Sequence, residues 1–272
     1  MRRVPESEVE SDWERQYAWG DDERYLYNTN RRKASVMGFF LRLDTVRALV
    51  RRYLPKGSSI ADLACAQGNF SLTLAEDGYD VTAVDLLDEF LNFAKKKYTH
   101  GKLKTLRSNI IEFRSPELFD GVVLGEIIEH VAFPDQLLQS AAQNLKPGGY
   151  LFLTTPNGNE FDQPLPTYKQ VTNLEELIPK QFHWGDHLFL YTQEELQELL
   201  FNAGFEVIQV LKLNSSYVSQ IKGVRYLLPL FALKWIEKKT RHWMRNGKDS
   251  TNSLIVVGKK MNYTPASHPT LT

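Results

Sequence analysis

A second cysteine is missing from this 272-residue chain. Cys65 alone excludes an internal disulfide framework and points to a reducing compartment. A long apolar run is missing too. Nothing approaches the roughly 18 apolar residues a helix needs to span a bilayer. The opening MRRVPESEVESDWE lacks the apolar core of a signal peptide, so a soluble, cytoplasmic protein is expected. No charge of one sign dominates, since 33 Lys and Arg face 33 Asp and Glu. The whole chain is therefore not an obvious nucleic-acid binder. No internal repeat and no low-complexity segment is visible.

What is present is alternation. After an acidic, polar start carrying Trp13, Tyr17 and Trp19, residues 35–54 place apolar side chains at three- and four-residue spacing and read as a helix. Apolar runs at 59–64, 79–85, 102–108, 119–126, 149–156, 205–213 and 253–260 read as strands. Helical patterns at 71–78, 86–97, 134–145 and 193–204 lie between them. Pro134 sits where a first-turn proline belongs, and Gly78 and Gly204 close their helices. The chain divides into an N-terminal helical segment (1–54), one α/β domain (55–261) and a tail (262–272) that reads as disordered. Strands alternating with helices imply a mainly parallel sheet covered on both faces, with ligands at the carboxyl ends of the strands. The loops after residues 64, 85, 108, 126 and 156 are the candidate site.

The first of these loops reads Asp62-Leu-Ala64-Cys-Ala66-Gln-Gly68. The G-x-G-x-x-G fingerprint is not met, and a bound pyrophosphate is not expected. Alanine replaces glycine at two positions, which a tight loop absorbs if φ stays negative. Asp85, at the end of the second strand, suits ribose hydroxyls; the plainer reading is an N-cap for helix 86–97.

The stretch FDGVVLGEIIEHVAFPDQLLQSAAQNLKPGGYLFLTTPN (119–157) adds a strand, an acidic loop, a proline-started helix, a KPGG turn and another strand. With Asp62-x-Ala64-x-Ala66-x-Gly68, Asp85 and Asn109 before it, residues 58–157 resemble the class I S-adenosylmethionine-dependent methyltransferases. Within them the E-x-x-E-H-V loop is most similar to the ubiquinone-biosynthesis-type small-molecule O-methyltransferases. The fold implied is a Rossmann-like, seven-stranded, mainly parallel sheet with helices on both faces, plus a helical insertion before the last strand. The resemblance implies that S-adenosyl-L-methionine is the cofactor. It places Asp62 and the loop of Ala64, Ala66 and Gly68 along the methionine moiety, and Asp85 with Leu86 at the ribose. Asn109 and Ile110 would flank adenine, and the backbone of Gly125 would approach the sulfonium.

Methyl transfer needs alignment, water exclusion and, where the nucleophile is protonated, a base. Glu126, Glu129, His130, His183, Asp186 and His187 are the candidates near the strand ends. Glu129, His130 and His187 are the expected catalytic residues. Glu126, Glu129, His130 and His187 form a candidate set for a divalent metal such as Mg or Zn, which would lower the pKa of an acceptor hydroxyl. The bland reading has the glutamates capping a loop and His187 packing at the rim.

Residues 215–251 intervene where a short hairpin usually closes such a sheet. From 215 to 248 they hold eight Lys and Arg against Glu237 alone, interleaved with Tyr226, Phe231, Trp235 and Trp243. A lid over the acceptor pocket is the first expectation. A membrane-surface helix serving a lipid-linked acceptor is the second, and an RNA-contacting face the third. The expected function is methyl transfer to a hydroxyl of a small-molecule or lipid-linked acceptor. An RNA 3′-terminal 2′-O-methyltransferase and a non-catalytic cofactor-binding regulator are the alternatives.

Overall fold

The structure, a computed structural model, describes residues 1–160, 165–173, 175–177, 187–220 and 223–262. His183 and Asp186, with residues 263–272 of the expected tail, lie outside the described residues.

Two short π-turns, Glu14–Trp19 and Asp22–Leu26, precede helix α1 (Ala34–Tyr53). Then β1 (Ser59–Leu63), α2 (Asn69–Glu76), β2 (Asp80–Asp85), α3 (Asp88–Lys97), β3 (Lys102–Arg107), β4 (Phe119–Gly125), α4 (Pro134–Asn144) and β5 (Leu145–Pro156) follow in alternation. After α5 (Gln193–Asn202) and β6 (Phe205–Ser215) comes the insertion. It contains α6 (Ser216–Ser219), α7 (Val224–Leu227), α8 (Leu230–Thr240) and a two-residue-stranded hairpin, β7 (Met244–Arg245) with β8 (Lys248–Asp249). Strand β9 (Thr251–Lys260) closes the fold.

The seven-stranded sheet has the order β3-β2-β1-β4-β5-β9-β6. Only β9 runs antiparallel to its neighbours. The chain steps outward from β1 to β2 and β3, then returns to β4 on the other side. The switch point therefore lies between β1 and β4, where a crevice opens at the strand ends.

The central strands are buried on both faces, which is why they read as unbroken apolar runs. Strand β5 shows the two-residue period: Leu151 and Leu153 pack with α4 and α5, while Phe152 packs with α1 and α2. Helix α5 starts on a capping box. The Glu195 amide donates to the Thr192 hydroxyl at 3.2 Å, and the Thr192 amide donates to the Glu195 carboxylate at 2.8 Å.

The structure corrects several expectations. Helix α2 starts two residues early, at Asn69, because Gly68 turns left-handed directly before it. Helix α3 starts at Asp88 with Leu87 as its N-cap, so Asp85 is not the cap. The expected KPGG turn lies inside β5, with Gly148 at φ 74° beside the register shift between Phe119 and Gly121. The hairpin β7–β8 was not anticipated, since each of its strands is only two residues long.

Candidate functional site

The β1 loop is left-handed three times. Ala64 has φ 63°, Ala66 φ 46° and Gly68 φ 77°. The condition under which alanine is absorbed without strain, a negative φ, is thus not met at either position. A Cβ in this region crowds the following carbonyl, at roughly 1–2 kcal/mol per residue. At Gly68 glycine is required, because a Cβ there would also lie 2.9 Å from the Ala94 methyl.

Hydrogen bonds hold the strained loop from within. The buried Asp62 carboxylate accepts from the Ser71 hydroxyl of α2. Burial pushes the Asp62 carboxyl up to about 6, partly offset by Ser71. The Asp85 carboxylate accepts from the Ala66 amide at 2.9 Å and the Leu87 amide at 3.0 Å. Burial raises its pKa as well, and the backbone donors oppose the rise. A carboxylate has about four lone-pair sites, so Asp85 keeps acceptor capacity for a ligand.

A second layer holds the loop from outside. The fully buried ammonium of Lys97 donates to the Gln67 carbonyl at 3.1 Å and to the Asn69 side chain at 2.6 Å, and pairs with Asp22 at 2.6 Å. Trp13, Tyr17 and Trp19 of the N-terminal segment pack against a cluster of Val4, Ala18, Phe90 and Phe93, and Ala66 and Leu87 pack against the same cluster. The Ala66 methyl thus has an apolar contact that glycine would lack.

The other expected cofactor residues lie at neighbouring strand ends. Leu86 is half-exposed beside Asp85. Asn109 is exposed, and its side-chain oxygen accepts from the Ile111 amide at 3.1 Å. Ile110 packs against the core, and its carbonyl accepts from Ser140 at 2.6 Å. Gly125 ends β4, where a Cβ would lie 2.6 Å from the Phe70 ring.

Past Gly125 the E-x-x-E-H loop divides. Glu126 has φ 55°, and its carboxylate lies 3.5 Å from Arg42 of α1. Glu129 is wholly buried in the short turn Ile128–His130. One of its oxygens accepts from Thr155 at 3.0 Å; the other, Oε1, is buried without a hydrogen-bond partner and lies 3.9 Å from His130 Nε2. Burial, then Glu126, push the Glu129 carboxyl well above its usual value. The His130 and His187 rings meet edge to face at 4.9 Å. Ligand atoms of Glu129, His130 and His187 all lie within 4.8 Å of one another. Three of the four expected metal-set residues thus converge, and Glu126 stands outside the group. Backbone pairing brings the distant His187 in: the Leu188 amide donates to the Glu129 carbonyl at 2.9 Å, and Tyr191 donates to the Ile128 carbonyl at 3.3 Å.

Sequence reasoning missed Arg42, Thr155 and Lys97. Lys97 gave no signal of its own, because a lysine in the last turn of a helix is ordinary on an exposed face.

A family model described as a methyltransferase domain matches residues 38–210. The chain belongs to the class I S-adenosylmethionine-dependent methyltransferases. Among curated relatives of this methyltransferase, the ubiquinone biosynthesis O-methyltransferase of Rickettsia akari is 29% identical over 167 residues, covering 61% of this chain and 65% of that protein. The protein of the same name from Xanthomonas axonopodis pv. citri is 33% identical over 178 residues, covering 62% of this chain and 70% of its own. The chain thus spans just under two thirds of the Rickettsia relative. Among solved structures, magnesium protoporphyrin IX methyltransferase from Synechocystis with bound SAH matches at TM-score 0.53 and 13% identity, covering 83% of this chain and 84% of that one. The [4+2]-cyclase SpnF matches at TM-score 0.54 and 19% identity, covering 80% and 81%. These two likenesses establish the fold alone.

Two predictions follow from the loop. Ala64→Gly removes left-handed strain and is expected to raise unfolding stability by about 1 kcal/mol. Ala66→Gly gains less, because it also loses the methyl contact with the cluster of Val4, Ala18, Phe90 and Phe93; equal gains in chemical denaturation would reject that contact. For Asp62 the folded pKa is raised above the unfolded value near 3.8. Its contribution is therefore fully present below about pH 4 and is lost as pH rises through about 6, a span worth about 3 kcal/mol. Asp62→Asn is expected to flatten the melting temperature between those pH values; an unchanged pH profile would sink the assignment.

Proposed function

We propose that this methyltransferase transfers a methyl group to a hydroxyl of a small-molecule or lipid-linked acceptor. The observation that carries the reading is the convergence of Glu129, His130 and His187 beside the switch point. The relatives named ubiquinone biosynthesis O-methyltransferase support the choice of oxygen.

The cofactor fits the first half of the site. Asp85 keeps lone pairs for ribose hydroxyls, the left-handed loop of Ala64, Ala66 and Gly68 brings bare backbone to the crevice, and Gly125 leaves the end of β4 without a side chain. Asp62 braces the loop through Ser71. Asn109, with its oxygen already accepting from Ile111, has its amide N–H donors for adenine, and Ile110 lies beside it. Leu86 supplies an apolar contact at the ribose edge. When bound, S-adenosylmethionine supplies an electrophilic methyl group on a sulfonium.

The acceptor side needs a way to take the hydroxyl proton. His130 or His187 serves as the base in the simplest version, with Glu129 orienting the pair. A divalent ion fits the same three residues. Glu129 Oε1 is buried with no hydrogen-bond partner, an expensive state that a cation would relieve. Two imidazoles and one carboxylate suit zinc better than magnesium, which prefers oxygen ligands. Such an ion would lower the acceptor's pKa, while Thr155 holds the second Glu129 oxygen and fixes its orientation. Arg42 keeps the neighbouring Glu126 charge occupied.

The test is a labelled methyl donor offered to a panel of phenolic, catecholic and amine acceptors. Products methylated on oxygen are expected. Label only on nitrogen or carbon overturns the hydroxyl reading, and cofactor binding with no turnover on any acceptor favours a regulator. Asp85→Ala should weaken cofactor binding by roughly ten- to a hundredfold, from lost hydrogen bonds to a charged group worth about 1.5–3 kcal/mol. Calorimetry showing wild-type affinity in a folded variant rejects the ribose role.

A second measurement concerns the ion. Chelation should abolish turnover, zinc or magnesium should restore it, and His187→Ala should bind no metal by elemental analysis. Full turnover in excess chelator leaves the histidines as base and binding residues.

A further inference from the structure

Half of the large apolar side chains exposed on the described surface lie within one short stretch of the insertion. Tyr226, Leu227, Phe231, Trp235, Trp243 and Met244 all stand out into solvent. Leu227 is 84% exposed, Phe231 77% and Trp235 62%. These are high values for residues of this kind, and they are contiguous in the chain rather than scattered. The family match ends at residue 210, so the whole patch lies beyond it.

Helix α8 explains the arrangement. Its inner face is occupied: Leu233 and Ile236 pack on Met37 and Leu41 of α1, and on Val218 of α6. Glu237 is buried, accepts from the Asn214 amide at 2.9 Å and is paired with Arg241. The helix is therefore seated, and its outward residues are not waiting to fold inward. Phe231 and Trp235 are four apart, one turn above each other on the outward side. Leu227, at the end of α7, is exposed just before them in the chain, with Pro229 between.

Charge decides what fits this ridge. Lys234, Lys238 and Lys239 accompany the aromatics on α8, Arg225 precedes them, and Arg245 and Lys248 follow in the hairpin. The only acid of the stretch, Glu237, is neutralised internally by Arg241. Lys234 is paired with Asp44 of α1 at 3.6 Å, yet a positive excess remains around an apolar ridge in a chain with no net charge. The ridge projects bulky side chains instead of forming a groove, and it is too short to span a bilayer.

We propose that Leu227, Phe231 and Trp235, ringed by Lys234, Lys238 and Lys239, dock this protein on an anionic lipid surface. Apolar side chains enter the headgroup boundary, Trp235 sits at its edge, and the lysines meet the lipid phosphates. Helix α1 links this surface to the candidate site, since Leu41 packs in the α8 cluster while its neighbour Arg42 reaches Glu126. The docking deepens the lipid-linked branch of the proposed function but does not depend on methyl transfer.

The test is sedimentation of the full chain with phosphatidylcholine vesicles, with and without phosphatidylglycerol, at low and high salt. Wild type should sediment with the anionic vesicles at low salt and dissociate at high salt. The combined Leu227→Ser, Phe231→Ser, Trp235→Ser variant should lose binding at least about tenfold. The combined Lys234→Gln, Lys238→Gln, Lys239→Gln variant should lose roughly a hundredfold at low salt, at on the order of fivefold per lysine. Cofactor affinity and melting temperature should be unchanged in both, which separates this proposal from misfolding and from failure of the methyl-transfer reading. Wild type that ignores anionic vesicles, or a serine variant that binds as wild type does, overturns the proposal. So does self-association that the serine variant abolishes, or retention of single-stranded RNA without vesicle binding.

Discussion

A single buried ammonium ties together the parts on which the cofactor half of the molecule depends. Lys97 is at the end of α3, yet its charge reaches the Gln67 carbonyl, the Asn69 side chain and Asp22 of the N-terminal segment. Desolvation lowers its pKa, and the Asp22 charge opposes that fall. Such a pair is a poor source of net stability but costly to break from one side. Its effect here is on geometry. The β1 loop runs through three left-handed residues, two of them alanine, and would not hold that path by its own preferences. Asp62 and Asp85 fasten it from the sheet side, and Lys97 fastens it from the α3 side. Asp22 in turn anchors residues that the family match leaves out. The N-terminal segment is thus part of the cofactor loop's surroundings, although it is remote in sequence.

The proposed acceptor half is built differently. No single loop holds it. Glu129 hangs between Thr155 at the end of β5 and the two histidines, and the chain near His187 is drawn in by backbone pairing of Leu188 and by Tyr191. These contacts join stretches 26 to 63 residues apart. A site assembled from separate elements can change its acceptor without disturbing the cofactor loop, and the cyclase among the structural neighbours shows that this fold carries more than one chemistry.

The sheet was legible in the sequence because doubly buried strands write themselves as apolar runs, and helices between them have a different period. The position of the site loops was legible in the alternation itself, and the roles of their residues only through the resemblance carried by Asp62 to Gly149. What escaped has physical reasons. The sign of φ at Ala64 and Ala66 was not legible, because alanine's intrinsic preference for negative φ is overridden there by tertiary restraint. Glu126 and Glu129 are spaced as if to share a helix face; the left-handed backbone at Glu126 breaks that relation before the turn begins. Lys97 and Asp22 are 75 residues apart, and no periodicity pairs them. The insertion was legible as cationic and aromatic, while which of its apolar residues stay outside depended on α1 supplying a seat for Leu233 and Ile236.

The distribution of charge gives these features a common sense. Asp62, Asp85 and Glu129 are three buried carboxylates along the same row of strand ends, and burial raises the pKa of each. Left-handed alanines add backbone strain beside two of them. A fold selected for stability alone would relieve both costs, with amides for the acids and glycines for the alanines. Perturbed carboxylates collected in a crevice are instead a mark of a functional site. The chemistry proposed here brings positive charge to this row, as a sulfonium beside Asp62 and Asp85 and as an ion or imidazolium beside Glu129. A ligand that offsets the buried negative charge binds the folded state alone and so returns stability in proportion to its occupancy. The crevice is selective for the same reason: its carboxylates have exchanged water for a few fixed protein donors, and a ligand of positive charge complements what those donors leave unmatched.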